Sequence, residues 1–332
     1  MKRKYLAVFL LLFAGVSCSR NPLKIDISDI SINLQVGHLW KDLSGGAIDS
    51  AKVDFLAKEY GAFFEIFTRR MIWIGGPEEE NFIANLQKFA TDTMIVRLNR
   101  LVTERIDEKK LQSGLENAFK HYNYYFPEKE IPQIVGCISG FNQSVVTADQ
   151  LIGISLDKFL GRDFPDYAQL GLPLYKRRRM APENIVPETM MAWAMTEFEK
   201  NDNATNLLSY MVYHGKLMYF LDAMLPSVHD TLKIGYTEKQ LDFCLKSEPG
   251  MWAFLAEHKL LFSSQRMDVK RFIDDAPFTN PFTNESPGRA GVWLGWQIVS
   301  AYMKKNPEVD LPRLMQNHDY QEILRKSGYQ PG

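Results

Sequence analysis

The sequence predicts an α+β fold, mostly helical with one small sheet. Apolar residues recur at helical spacing over two long tracts, about 50–126 and the region beyond Pro182. Between them, 133–156 is the one region where short runs rich in Val and Ile are separated by turn residues. A content of 45% apolar residues with six tryptophans is enough to bury a large core. The order strand, helices, small sheet, helices is that of an α+β domain.

The chain opens on Lys2, Arg3 and Lys4, an apolar run from Leu6 to Phe13, and the small residues Ala14-Gly15-Val16-Ser17 before Cys18. That is the three-part layout of a secretory signal, expected over 1–17. The apolar run is far short of the ~20 residues a bilayer-spanning helix needs, and Ser19, Arg20, Asn21 and Pro22 follow at once, so no permanent span is predicted. Val-Ser-Cys resembles the lipobox at which lipoproteins are cleaved and acylated, with Gly15 where Leu is usual; plain secretion is the alternative. On the lipoprotein reading Cys18 carries acyl chains such as palmitate, 18–22 is a tether, and 23–332 is a single domain of two lobes. Each buried methylene of the anchor contributes ~0.8 kcal/mol, so several chains hold a protein firmly to a membrane that it does not enter. No Asp follows Cys18, which favours the outer membrane, facing the periplasm.

Loss of Lys2, Arg3 and Lys4 takes the formal charge from −1 to −4, so nucleic-acid binding has no electrostatic support. The one strong basic patch, Lys176-Arg177-Arg178-Arg179, stands alone between Pro173 and Pro182 and reads as a solvated loop sooner than a ligand site. Cys137 and Cys244 could form at most one bridge. Both sit among apolar residues, which favours buried free thiols over a disulfide, and no Cys/His spacing suggests a zinc finger.

Taken in order, the elements begin with Ile25, Ile27, Ile30, Ile32 and Leu34, which alternate with polar residues and predict an early strand. Val53, Leu56, Ala57, Tyr60, Phe63 and Phe64 then take helical spacing, with Asp49 or Ser50 as the cap. Gly75-Gly76-Pro77 breaks the chain, and two or three further helices run from Phe82 to Phe126, ending before Pro127. The sheet is expected over Gln133–Phe141, Ser144–Thr147 and Leu151–Leu156, with turns at 141–143 and 148–150. Beyond Pro182 every stretch has helical spacing.

Two stretches invite a chemical reading. The helix expected over 206–225 contains His214-Gly215-Lys216-Leu217-Met218, placed after a small sheet, where a zinc metallopeptidase would carry its H-E-x-x-H. That motif needs two histidines four apart on one helix face and a glutamate beside the first to act as general base. Gly215 and Met218 occupy the places of the glutamate and the second histidine, and neither can do its work. The readings open are therefore a degenerate zincin-like metallopeptidase architecture or a core helix with His214 hydrogen-bonded at its edge. The second stretch, Ser286-Pro287-Gly288-Arg289-Ala290-Gly291, predicts a helix with Ser286 as N-cap and Pro287 in its first turn. Gly288, Gly291 and Gly295 would share one face, suited to a tight helix contact, while Arg289 and the helix start could hold an anion. Asp157, Asp163 and Asp166 could bind calcium but fit no EF-hand spacing, so a solvated loop is the expectation. No G-x-S-x-G elbow is present near a base.

Three dense stretches together resemble the gliding-motility lipoprotein GldB family: 151–161 from Leu151 to Gly161, the run from His214 to Pro226 closing in Lys233-Ile234-Gly235-Tyr236-Thr237, and 276–307. The likeness runs from about Ile25 to Tyr329. It implies an envelope lipoprotein linked to gliding and its associated secretion machinery, with no established enzyme activity and a distant similarity to predicted zinc peptidases. The departures at Gly215 and Met218 keep catalysis from being carried over. Two functions follow as expectations. One is a non-catalytic lipoprotein, membrane-attached through Cys18, that binds an envelope protein or glycan and uses no metal or cofactor. The other is a periplasmic hydrolase with a degenerate metallopeptidase-like site. The candidate groove comprises His214, Lys216, Tyr219, Asp222 and Arg289.

Overall fold

The computed structural model describes residues 22–332, so Cys18 and the expected signal lie outside the described residues. The alternation from Ile25 to Leu34 does not make a strand. Its isoleucines are half-buried while their polar neighbours are exposed, so the period of two correctly separates the faces. No ladder forms there; instead the side chain of Gln112 brackets the end of the segment, Nε2 donating to Leu34 O at 2.7 Å and Oε1 accepting from Val36 N at 3.0 Å. Pairing starts only at β1, Val36–His38.

The sheet has four strands in the order β1-β2-β4-β3, where β2 is Gln133–Cys137, β3 Val145–Ala148 and β4 Leu151–Ser155. β1, β2 and β4 are parallel, and β3 is an antiparallel edge joined to β4 through Asp149 and Gln150, the latter in the left-handed region at φ 51°. Alternate residues serve two cores, as a pleated strand requires. Ile134, Ile152 and Ile154 enter the larger core, while Val135, Cys137 and Leu151 pack with Phe63, Phe64 and Phe67 on the other face.

Four helices of ten or more residues precede β2. In α1, Ser50–Tyr60, Asp49 accepts the Lys52 N–H at 2.8 Å, the capping expected of it. After Gly61 a short helix, Ala62–Ile66, passes into a π-helical turn, Phe67–Met71. The 82–126 tract resolves into α2, Phe82–Thr91, α3, Thr93–Arg105, and α4, Glu108–Tyr125, the last two capped by Asp92 and Asp107. A carboxylate at each start satisfies N–H groups that the helix leaves unpaired and meets the positive end of its dipole.

The helical lobe beyond β4 is built around α6, Leu207–Met224, capped by Asn206. Of its residues only Tyr210, His214, Tyr219 and Asp222 are less than fully buried, so it is apolar nearly all round and sits at the centre of the lobe. Around it lie α5, Ile185–Glu197, α7, Glu238–Glu257, α8, Arg266–Ile273, α9, Ala290–Lys305, α10, Leu311–Gln316, and α11, Tyr320–Ser327. The fold is thus α+β and mostly helical. Cys137 and Cys244 are buried free thiols, and burial pushes both above the usual thiol range. Among the described residues no helix is long and apolar enough to cross a membrane.

The start of α9 differs from expectation. Ser286 does not cap it; the helix begins at Ala290, with Arg289 as its N-cap residue in the left-handed region at φ 62°. The Ser286 hydroxyl is buried against the 279–283 loop, 2.9 Å from Thr279 O and 2.8 Å from Thr283 O. Thr279 caps α9 from that loop, its Oγ1 accepting the Ala290 N–H at 3.1 Å. Gly288 accordingly lies before the helix, not on its face.

Candidate functional site

Two glycines set the geometry of the predicted groove. A Cβ on Gly215 would run into the Gly295 carbonyl, and one on Gly295 into the Met211 carbonyl, so α6 and α9 touch backbone to backbone. Only residues without a side chain allow that approach. The place beside His214 where a general base would stand therefore has no room for one, and Met218 is fully buried in the core.

The five candidate residues leave α6 and α9 toward different partners, and among the described residues no hydrogen bond or ion pair joins any two of them. His214 packs edge-on against Tyr213, ring centroids 5.2 Å apart. It makes no hydrogen bond among the described residues, contrary to the expectation of a bonded imidazole at the helix edge. Burial, and then the charge of Arg289, push its pKa down to about 3, against the pull of Asp275, so it is neutral at physiological pH. Lys216 is 2% exposed and donates to Met315 O at 2.9 Å and Asn317 O at 2.8 Å, tying down the carboxyl end of α10. Burial lowers its pKa to about 7, while the ring of Tyr320, 5.7 Å away, offers its ammonium a cation–π contact. Tyr219 is half-buried, and burial followed by the nearby Asp222 charge raises its phenol to about 12.

Asp222 is the hub of a separate network. Its Oδ1 accepts from Lys233 Nζ at 2.7 Å and its Oδ2 from Trp296 Nε1 at 2.6 Å, while Lys233 also reaches Asp230 at 3.0 Å. Burial raises the carboxyl pKa of Asp222, and Lys233 opposes that rise most strongly. This arrangement pins α6 to α9 and to the short helix Asp230–Ile234. It is a saturated ion-pair network with both carboxylate oxygens engaged.

Arg289 belongs to a third cluster, and here the basic patch of the sequence takes part. The patch is not a solvated loop. Leu174–Arg177 is a short helix, after which Arg179 turns inward and makes two bonds to Glu188 of α5, at 2.6 and 2.8 Å. Asp275 Oδ1 lies 3.7 Å from Arg179 and 3.6 Å from Arg289, and Arg289 approaches Ile234 O at 3.5 Å. Burial, then the like charge of Arg179, lower the Arg289 pKa, though a guanidinium so placed remains charged. The Tyr236 hydroxyl closes one wall by donating to Gly288 O at 2.7 Å.

The three aspartates of the 157–166 loop also part company. Asp157 is fully buried, accepting from Ser139 N at 3.1 Å and Phe141 N at 2.6 Å, and burial raises its pKa to about 6 against those bonds. Asp163 pairs with Arg162, and Asp166 pairs with Arg97. Asp157 thereby shapes the loop after β2, which with the 72–75 segment borders a cleft of about 680 Å³. Trp73 stands on its rim, 67% exposed and in the left-handed region at φ 52°, with Asn85, Asp92, Ser139 and Asn142 among the lining residues. Asn142 Nδ2 donates to Met71 O at 2.8 Å and to Ser139 O at 2.9 Å, joining the π-helical turn to the end of β2. Sequence reasoning passed over Trp73 because a single aromatic outside any periodic run carries no signal; the Gly75-Gly76-Pro77 break beside it was the only hint.

Among the described residues no group of three or more His, Cys, Asp or Glu is placed to hold a metal ion. The profile of one protein family, described as gliding motility protein GldB, matches residues 20–331, nearly the whole chain. No curated protein and no solved structure matches it.

Proposed function

The chain belongs to the gliding motility protein GldB family, and from that premise we propose that it is a non-catalytic, lipid-anchored envelope component that binds a partner in support of gliding or the associated protein secretion. The observation that carries the non-catalytic part is the Gly215–Gly295 contact, which fills the position where a peptidase of the H-E-x-x-H type would keep its general base. His214, Lys216 and Asp222 work as separate structural residues in this reading. Cys18 supplies the anchor, with the outer membrane, facing the periplasm, as its site.

The surface best suited to the partner is the Trp73 cleft. Its rim offers an indole open to solvent, a flat apolar face for stacking, held on a backbone conformation unfavourable for a non-glycine residue. Its exposed neighbours Asn85 and Asp92, an amide and a carboxylate, can hydrogen-bond sugar hydroxyls or peptide groups, so both a glycan and a protein segment fit. Complementation of a deletion strain tests the proposal. Trp73→Ala should be normally abundant yet fail to restore spreading or secreted protein, and Cys18→Ala should release the protein from carbonate-washed membranes. Full activity of Trp73→Ala would remove the cleft from the proposal. Stoichiometric zinc in the purified protein, together with hydrolysis lost in His214→Ala, would favour the hydrolase instead.

A further inference from the structure

Arg178, Arg179 and Arg289 meet at one point of the fold, although the first two come from the basic patch and the third from the start of α9. They line a small cavity of about 30 Å³, which also touches Gly235, Tyr236 and Asp275. Arg178, Gly235 and Tyr236 also line a larger cleft of about 400 Å³ that reaches Asn184 and Thr237, so the small cavity and the cleft adjoin at these residues. Charges around the small cavity do not cancel. Arg179 is matched by Glu188, Arg289 shares Asp275 with Arg179, and Arg178 has only the neutral Gln240 amide oxygen, at 3.0 Å. One positive charge is left over.

Hydrogen bonding is incomplete as well. A guanidinium carries five N–H donors, and Arg289, whose side chain is 14% exposed, meets one carbonyl at 3.5 Å and one carboxylate oxygen at 3.6 Å. Both separations sit at or beyond the limit of a hydrogen bond. Its backbone is held at φ 62°, in the left-handed region that side chains disfavour. A residue chosen only to start α9 would be glycine or asparagine, since Thr279 already caps the first N–H.

We infer that the Arg178–Arg179–Arg289 cluster is a binding site for a carboxylate group, borne by a small ligand that occupies the adjoining cleft. A planar, singly charged group matches the one uncompensated charge, the forked donors and the narrow end of the cavity better than a larger tetrahedral dianion does. Asp275 already presents a carboxylate oxygen to two of the three arginines, which shows the geometry that the group would adopt or displace. This site is separate from the Trp73 cleft and does not depend on it.

Propionate, singly charged and small enough for the cleft, is the probe, with sodium chloride at equal ionic strength as the reference. For the protein with Cys18 replaced by Ala, propionate a few-fold above its Kd should raise the melting temperature by about 1–3 °C beyond the chloride control. Arg289→Gly relieves the backbone strain while removing the guanidinium, so it should melt no lower than the parent and lose the propionate response. Arg178→Gln should lose the response with an unchanged melting temperature and serves if Arg289→Gly does not fold. A parent protein that ignores propionate, variants that still respond to it, or a rise produced only by sodium phosphate would each overturn the assignment. Arg289→Gly melting several degrees lower with its response intact would make the cluster a structural ion-pair network alone.

Discussion

Gly215 on α6 and Gly295 on α9 face each other so closely that neither position can carry a Cβ without striking the opposing backbone. The atoms in the way are main-chain carbonyls of two packed helices, which cannot rotate aside. Gly295→Ala should therefore destabilise the protein by ~1–3 kcal/mol through overpacking, despite alanine's better helix propensity. Urea unfolding measures it, and an unchanged or higher midpoint would mean that the two helices separate at no cost.

His214 gives a prediction in pH. Its pKa of about 3 in the fold lies below the unfolded value near 6.5, so the unfolded chain takes up a proton that the folded protein refuses. Stability at this site is thus present above about pH 6.5 and lost as the pH falls. Relative to His214→Gln, which does not titrate, the wild-type advantage should shrink by ~1–2 kcal/mol between pH 7 and pH 5. A constant difference would place His214 in a wetter setting.

Much of this was legible in the sequence, and the failures have physical causes. Asp49 marks a helix start by local chemistry, which survives any tertiary arrangement, and the structure adds Asp92 and Asp107 as caps of the same kind. The loss of H-E-x-x-H was equally plain, because Gly215 and Met218 cannot act as base or ligand in any fold. The strand expected at Ile25–Leu34 failed because alternation reports which face is buried and not whether a neighbour offers a ladder; here Gln112 supplied the bonds instead. Ser286 misled for the same kind of reason, its hydroxyl being claimed by the Thr279 loop. Meeting points between distant segments, such as Arg179 with Arg289 around Asp275, have no local signature, so the basic patch read as solvent-facing when half of it is turned inward.

Lys216 tests how a buried cation without a carboxylate partner is held. Its Nζ bonds to Met315 O and Asn317 O, satisfying carbonyls at the end of α10 that no N–H reaches. Lys216→Met keeps the apolar stem and leaves both carbonyls unpaired, which should cost ~1–3 kcal/mol. Hydrogen exchange should show the loss first in α10 and α11. A methionine variant as stable as the parent would mean that water replaces the ammonium without penalty.

The last prediction concerns Asp157, which links the core to the Trp73 cleft. Its two oxygens accept the N–H groups of Ser139 and Phe141, so the loop carrying Ser139, Gly140 and Asn142 takes its shape from a carboxylate that is itself out of water. Asparagine has one acceptor oxygen; its amide nitrogen would oppose one of the two N–H donors. Asp157→Asn should accordingly destabilise the protein by ~1–3 kcal/mol at pH 7 and weaken partner binding at the cleft more than Asp163→Asn, whose side chain only pairs with Arg162 at the surface. The titration of Asp157 adds an independent check. Burial holds its folded pKa at about 6, above the unfolded value near 3.9, so the folded protein binds a proton more readily than the unfolded chain. That contribution is fully present below about pH 4 and is lost as the pH rises through 6. Between pH 7 and pH 4.5 the wild-type advantage over Asp157→Asn should therefore grow by ~1–2 kcal/mol, whatever the other carboxylates do, since they are common to both proteins. Denaturant unfolding of the two proteins at both pH values measures the difference. A gap that stays constant or narrows on acidification would show that the Ser139 and Phe141 N–H groups, rather than burial, govern this carboxylate, and the loop would then be held by a permanent charge.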